Sequence, residues 1–136
     1  MKMQMVFQAE SKNEQVARAC VAAFMLAKDP SVEEVNDVKT AVSEAVTNCV
    51  VHAYPEGGGD VILECCFDEE YIIISITDYG VGIDNVDEAV KPFFTTKSDR
   101  ERSGLGFTVI RSFMDEVEVK SEKGLGTSVT MKKRIK

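Results

Sequence analysis

The sequence predicts an α+β two-layer α/β sandwich, in which a mixed, mostly antiparallel sheet is covered on one face by helices. Two observations predict it: strand patterns stand at both ends of the chain with helical patterns between them, and the strands arrive in hairpins. A doubly wound parallel sheet fits less well, because its strands alternate singly with helices rather than pairing through short turns.

Residues 3–9 (MQMVFQA) read as an opening strand, ended by Ser11, which stands with Glu14 in the S-x-x-E spacing of a capping box. The helix that follows runs to about residue 28. Its apolar stripe is Val16, Cys20, Val21 and Phe24, and Arg18 falls off that stripe, toward solvent or a partner. Asp29-Pro30 breaks the helix. Ser31 and Glu34 repeat the capping box, and Val32, Val35, Val38, Val42, Ala45, Cys49 and Ala53 then mark one side of a long helix ending near Tyr54-Pro55.

The glycine-rich loop 55–59 leads to two strands, about 60–67 and 71–77, which the acidic turn Asp68-Glu69-Glu70 joins into an antiparallel hairpin. From about 84 to 103 the chain is polar and rich in loop residues, the place to look for a mobile lid. Gly104-Leu105-Gly106 precedes a short apolar-faced helix over 107–114, and two last strands, about 116–121 and 127–132, flank the turn 122–126.

At 136 residues, 44% of them hydrophobic and 29% charged, the chain is expected to be one domain, 1–136, with an ordinary core. Sixteen Lys and Arg against 23 Asp and Glu leave a formal charge of −7, which argues against a surface that neutralises a phosphate backbone, so no direct nucleic-acid partner is expected. The acidic surface serves solubility or steers toward a basic protein. The N-terminus lacks a leader pattern and no run of about 18 apolar residues occurs, so a cytoplasmic protein with no membrane contact is expected. The four cysteines have no CxxC spacing and only His52 as an imidazole partner, which argues against zinc; they read as reduced, small apolar residues.

Three short motifs carry chemistry. Glu44 and Asn48, four residues apart on the long helix, share a face distinct from its apolar stripe, so a carboxylate and an amide can serve one site. Asp78-Tyr79-Gly80-Val81-Gly82 ends an apolar strand with an acceptor for an exocyclic amine and two glycines that admit a flat ligand close to the backbone. Ser103-Gly104-Leu105-Gly106-Phe107 opens a helix whose free N–H groups suit a phosphate. Each is weak alone, since a solvated Glu and Asn, a hairpin end or a tight turn would look the same. Their order is the informative part.

In that order the chain resembles the Bergerat-fold ATPases, which include the ATP-binding domains of histidine kinases, type II topoisomerases and mismatch-repair proteins. EAVTN at 44–48 is similar to the family's N box, DYGVG at 78–82 to its adenine-binding box, and GLG at 104–106 to its phosphate-binding glycine box. Over nearly the whole chain, and through SEAVTN, PFFTTK, ERSGLGF and FMDEVEV, it resembles most the stand-alone serine-kinase anti-sigma factors of spore-forming bacteria.

The resemblance implies Asn48 as a Mg²⁺ ligand, Asp78 as acceptor for the adenine amino group, Gly80 and Gly82 as space for the ring, and Thr127 as a helper through water. Glu44 would accept the proton of a substrate serine. Ser103, Gly104, Leu105 and Gly106 would hold phosphates, and Lys97, Arg102 and the Thr95 and Thr96 hydroxyls are candidates for the terminal ones. Arg18 matches a position that in the family contacts both protein partners.

The implied cofactors are ATP or ADP with Mg²⁺. The implied partners are a sigma factor of the sigma F type, an anti-anti-sigma factor that is phosphorylated on serine, and a second copy of the chain in a homodimer. Three alternatives stay open: the stress-response sigma B type of anti-sigma kinase, a nucleotide-gated sequestering module with vestigial transfer, and a detached histidine-kinase catalytic domain. His52, on the site helix, is placed as a structural or capping residue near a helix C-terminus rather than as a phosphoacceptor.

Overall fold

The computed structural model describes residues 1–83 and 105–136. Strand β1 (Lys2–Gln8) leads into α1 (Ser11–Met25), a 3₁₀ turn Leu26–Lys28, and α2 (Val32–Asn48), which runs on into a π-helical turn, Cys49–Ala53. The hairpin β2 (Asp60–Asp68) and β3 (Tyr71–Asp78) follows, then α3 (Leu105–Phe113) and the hairpin β4 (Glu116–Glu122) and β5 (Gly126–Arg134).

The five strands are ordered β1-β2-β3-β5-β4, and each of the four pairings is antiparallel, so the described sheet has no parallel pair where a mixed one was expected. Both neighbours in a hairpin come from adjacent sequence, which is why antiparallel pairing dominates. Strand β3 lies at the centre, between β2 and β5.

Period-two alternation decides which side faces the helices. Ile72, Ile74 and Ile76 of β3 are buried, with Leu63 of β2 and Met131 of β5 beside them, and the helices contribute Val21, Val38, Val42, Val46 and Ile110. Each such side chain stabilises the fold by roughly 1.5–3 kcal/mol when fully buried. The other face is polar where β3 meets β5: the Thr77 and Ser128 hydroxyls are 3.1 Å apart, in register.

The second capping box forms as expected, with Glu34 N–H donating to Ser31 Oγ at 3.1 Å and Ser31 N–H to Glu34 Oε1 at 2.8 Å. The first does not. Ser11 is already helical, Glu10 is the N-cap with extended backbone, and no side chain caps the helix. A serine already inside the first turn is no longer at the N-cap, the position from which a hydroxyl accepts the free N–H two or three residues on. Two expected stripe residues also face outward: Val16 is 52% exposed and Val32 77%. The buried stripe of α1 is Ala17, Val21, Phe24 and Met25. Among the described residues no helix is long and apolar enough to cross a membrane.

Candidate functional site

Asp78 continues the alternation of Ile72, Ile74 and Ile76 and therefore points into the layer between sheet and helices, where it is 5% exposed. It is the one buried charged side chain among the described residues. Three donors hold it. Gly80 N–H and Thr127 N–H donate to Oδ1 at 3.0 and 3.2 Å, and the Cys49 thiol donates to Oδ2 at 3.6 Å. Burial pushes the carboxyl above the ordinary carboxylate range, and the hydrogen bonds from Gly80, Cys49 and Thr127 offset part of that rise.

Asn48, the last residue of α2, shares a pocket with Asp78, Cys49, Gly82 and Thr127. Its Nδ2 is buried and has no hydrogen-bond partner. Such a group carries a desolvation penalty of about 1–3 kcal/mol until something in the pocket satisfies it. Apolar walls complete the pocket: Ala45, Ile76, Ile83, Phe107 and Val129.

The π-helical turn after Asn48 is what docks the Asp78 loop. The Ala53 carbonyl, at the end of the helix, has no intrahelical partner, and Val81 N–H donates to it at 2.9 Å. A Cβ on Gly80 would overlap that same carbonyl, and one on Gly82, whose φ is +75°, would overlap the Glu122 carbonyl. Besides any room they leave for a ring, the two glycines make room for the chain itself. Tyr54 closes the arrangement: its hydroxyl accepts from Tyr79 N–H and donates to Asp60 O, both at 2.7 Å.

The remaining expected residues are placed as follows. Glu44 is half-buried one helical turn before Asn48 and does not line the pocket. Burial, and secondarily the charge of Glu14 on α1, raises its carboxyl above the ordinary range. The Thr127 hydroxyl lies 2.7 Å from Ser121 Oγ, so Thr127 meets Asp78 through its backbone N–H. Leu105 and Gly106 form the start of α3. Thr95, Thr96, Lys97, Arg102, Ser103 and Gly104, and the expected lid, lie outside the described residues. Arg18 is half-exposed, with Nη1 3.7 Å from Glu14 Oε1 and 3.5 Å from Ser43 Oγ.

Three residues that the sequence reading gave no site role belong here. Cys49, read as a packing residue, is buried as expected but also donates to Asp78. Tyr54 was only a helix terminator, and its bridging role had no local signal. His52, read as structural, lines the pocket; its spacing of four from Asn48 was the available signal.

The chemistry of the lining suits the base of an adenine nucleotide. A buried carboxylate with two backbone donors on one oxygen and a weak thiol on the other keeps acceptor capacity for an exocyclic N–H, beside apolar side chains. The amide oxygen of Asn48, which lines the same pocket, is a hard ligand of the kind Mg²⁺ accepts. Mg²⁺ keeps several waters and takes one or two protein ligands plus substrate phosphates.

Residues 7–133 match the model of the histidine kinase-like ATPase domain family. The chain is 48% identical over 134 residues to the anti-sigma F factor of Clostridium acetobutylicum, covering 98% of this chain and 94% of that one. It is 51% identical over 135 residues to the anti-sigma F factor of Clostridium beijerinckii, with the same two coverages. The RsbU and RsbW domains of a Mycobacterium tuberculosis protein share the fold, with a TM-score of 0.73 at 16% identity over 99% of this chain; the match spans 32% of that longer chain.

Proposed function

The chain belongs to the histidine kinase-like ATPase domain family and, within it, to the anti-sigma F factors, and from that premise we propose that it holds a sporulation sigma factor of the sigma F type inactive and phosphorylates a serine of the anti-anti-sigma protein that opposes it. About half identity along nearly the full length of both chains carries the reading. The pocket supports it, since a buried acceptor carboxylate and an orphaned amide meet there.

ATP with Mg²⁺ would supply the transferable phosphoryl group and neutralise the charge that develops on it. Asp78 would orient the adenine through its open acceptor, and the apolar walls would exclude water from the ring. Asn48, which lines the pocket, would hold the metal with its amide oxygen, and its unpaired Nδ2 would be free to donate to a phosphate oxygen. Leu105 and Gly106 at the start of α3, with Ser103 and Gly104 before them in the sequence, would receive phosphate oxygens, and Thr95, Thr96, Lys97 and Arg102 would meet the terminal phosphates.

Glu44 would take the proton of the attacking serine. Its half-buried position and the neighbouring Glu14 charge make it a stronger base than a solvated carboxylate. Arg18, on the outer side of α1, would dock the sigma factor and the anti-anti-sigma protein, with the chain acting as a homodimer.

A second reading keeps the nucleotide and omits the transfer, and the position of Glu44 outside the pocket lining favours it. Phosphotransfer from γ-labelled ATP to the anti-anti-sigma protein tests the choice. A label stable to acid and lost in alkali is expected, as for phosphoserine. An acid-labile label would point to phosphohistidine, and no label despite Mg²⁺-ATP binding would leave the sequestering module.

A further inference from the structure

The Asp78 carboxylate has about four acceptor sites. Oδ1 takes the N–H groups of Gly80 and Thr127, and Oδ2 takes the Cys49 thiol. Three elements thus hold one side chain: the loop after β3, the start of β5 and the π-helical turn. The backbone donors would be there whatever side chains the sequence carried. The thiol is the one contribution specific to a residue type.

Cys49 is 4% exposed and lies directly after Asn48. Both line the pocket, and the thiol ties the turn that follows Asn48 to the Asp78 carboxyl. With the adenine pocket read as above, we propose that Cys49 is a positioning residue for nucleotide binding: its S–H fixes Asp78 Oδ2 so that the remaining acceptor site of that oxygen meets an exocyclic amine rather than a carbonyl.

Cys49 keeps its proton in this role. An ordinary cysteine is a thiol at neutral pH, and the 3.6 Å contact with Asp78 Oδ2 makes it a donor rather than a thiolate nucleophile. A donor there also opposes the rotation of the carboxyl group that would otherwise let it present either edge. Alanine would remove the donor, and serine would keep one on a shorter bond to the side-chain oxygen.

The test is calorimetric titration of the full chain with ADP and with inosine diphosphate, whose base carries a carbonyl where adenine carries the amine. Wild type is expected to prefer ADP. Cys49→Ala should weaken ADP binding about threefold to tenfold, as for one lost hydrogen bond, and leave inosine diphosphate unchanged; Cys49→Ser should recover ADP to within about twofold of wild type. Infrared difference spectra supply a readout that packing alone would not move: the S–H stretching band that disappears in Cys49→Ala should shift in Asp78→Asn.

A Cys49→Ala chain with wild-type discrimination, or one weakened equally toward both diphosphates, would overturn the role of Cys49 and leave the adenine site standing. So would an S–H band indifferent to Asp78→Asn. A wild-type chain that binds neither diphosphate, or both alike, would overturn the adenine reading and the role of Cys49 with it.

Discussion

Thr127 N–H donates to Asp78 Oδ1 at 3.2 Å, and the same two residues are register partners where β5 meets the end of β3. The sheet therefore passes into the site without a break: where the ladder runs out, a side-chain carboxylate accepts a strand N–H. One of the three donors to this buried carboxyl therefore comes from the sheet itself, beside those of the Gly80 loop and the π-helical turn.

Asp78 is expected to trade stability for binding. Its pKa is raised in the fold, so its contribution to stability is fully present below the unfolded value of about 3.9 and is lost as pH rises through the raised folded value. Above that folded value the fold carries the cost of ionising a buried carboxyl. Asp78→Asn should therefore raise the melting temperature of the nucleotide-free protein by a few degrees, about what 1 kcal/mol gives for this size. It should flatten the difference between the two chains below the folded pKa, and weaken ADP binding at least tenfold. A melting temperature lowered at neutral pH would contradict the first part.

Tyr54→Phe removes the hydroxyl that accepts from Tyr79 N–H and donates to Asp60 O. The loss should amount to about 1–3 kcal/mol, because a backbone donor loses its partner. Urea unfolding measures it, and hydrogen exchange should quicken at the Tyr79 amide. Unchanged exchange there would mean that water replaces the hydroxyl without loss.

Gly80→Ala places a Cβ on the Ala53 carbonyl, which cannot yield without breaking the Val81 N–H bond to it. Nucleotide binding should be lost, with destabilisation of 2 kcal/mol or more by overpacking and the lost hydrogen bond together. A variant that still binds ADP normally would show that the loop can move away from the π-helical turn.

Glu44→Ala should leave nucleotide affinity within about twofold, since Glu44 does not line the pocket, and slow phosphotransfer about 10²- to 10⁴-fold. Burial first and the Glu14 charge second raise the Glu44 pKa, and the proposed base would work deprotonated, so Glu14→Gln should lower that pKa in part and move the acid limb of the rate profile to lower pH. A limb that stays in place would separate Glu14 from the base.

What the sequence disclosed was local or periodic. The Ser31 and Glu34 box and the Val38, Val42, Ala45, Cys49 stripe depend on neighbours within a turn or two, and both appear as read. Asp78 points inward because it continues the Ile72, Ile74, Ile76 alternation. The misplacements have two causes: Val32 is the first residue of α2 and precedes the region that packs, whereas Val16 lies off the packed stripe of Ala17, Val21, Phe24 and Met25.

The site's fine structure was not legible because it is made of long-range pairs. Cys49 and Asp78 are 29 residues apart and Tyr54 and Tyr79 are 25 apart, so neither pairing has a sequence pattern. The π-helical turn is a further case, since nothing in CVVHA announces it and Val81 N–H is what engages its last carbonyl.

The measurement that bears most directly on the account is calorimetric titration with ADP, with and without Mg²⁺, of wild type, Asn48→Ala and Asp78→Asn. Tight, Mg²⁺-strengthened binding by wild type is predicted, with the Mg²⁺ effect lost in Asn48→Ala and binding itself lost or much weakened in Asp78→Asn. Equal affinity in all three chains would contradict the assignment of this pocket to the nucleotide.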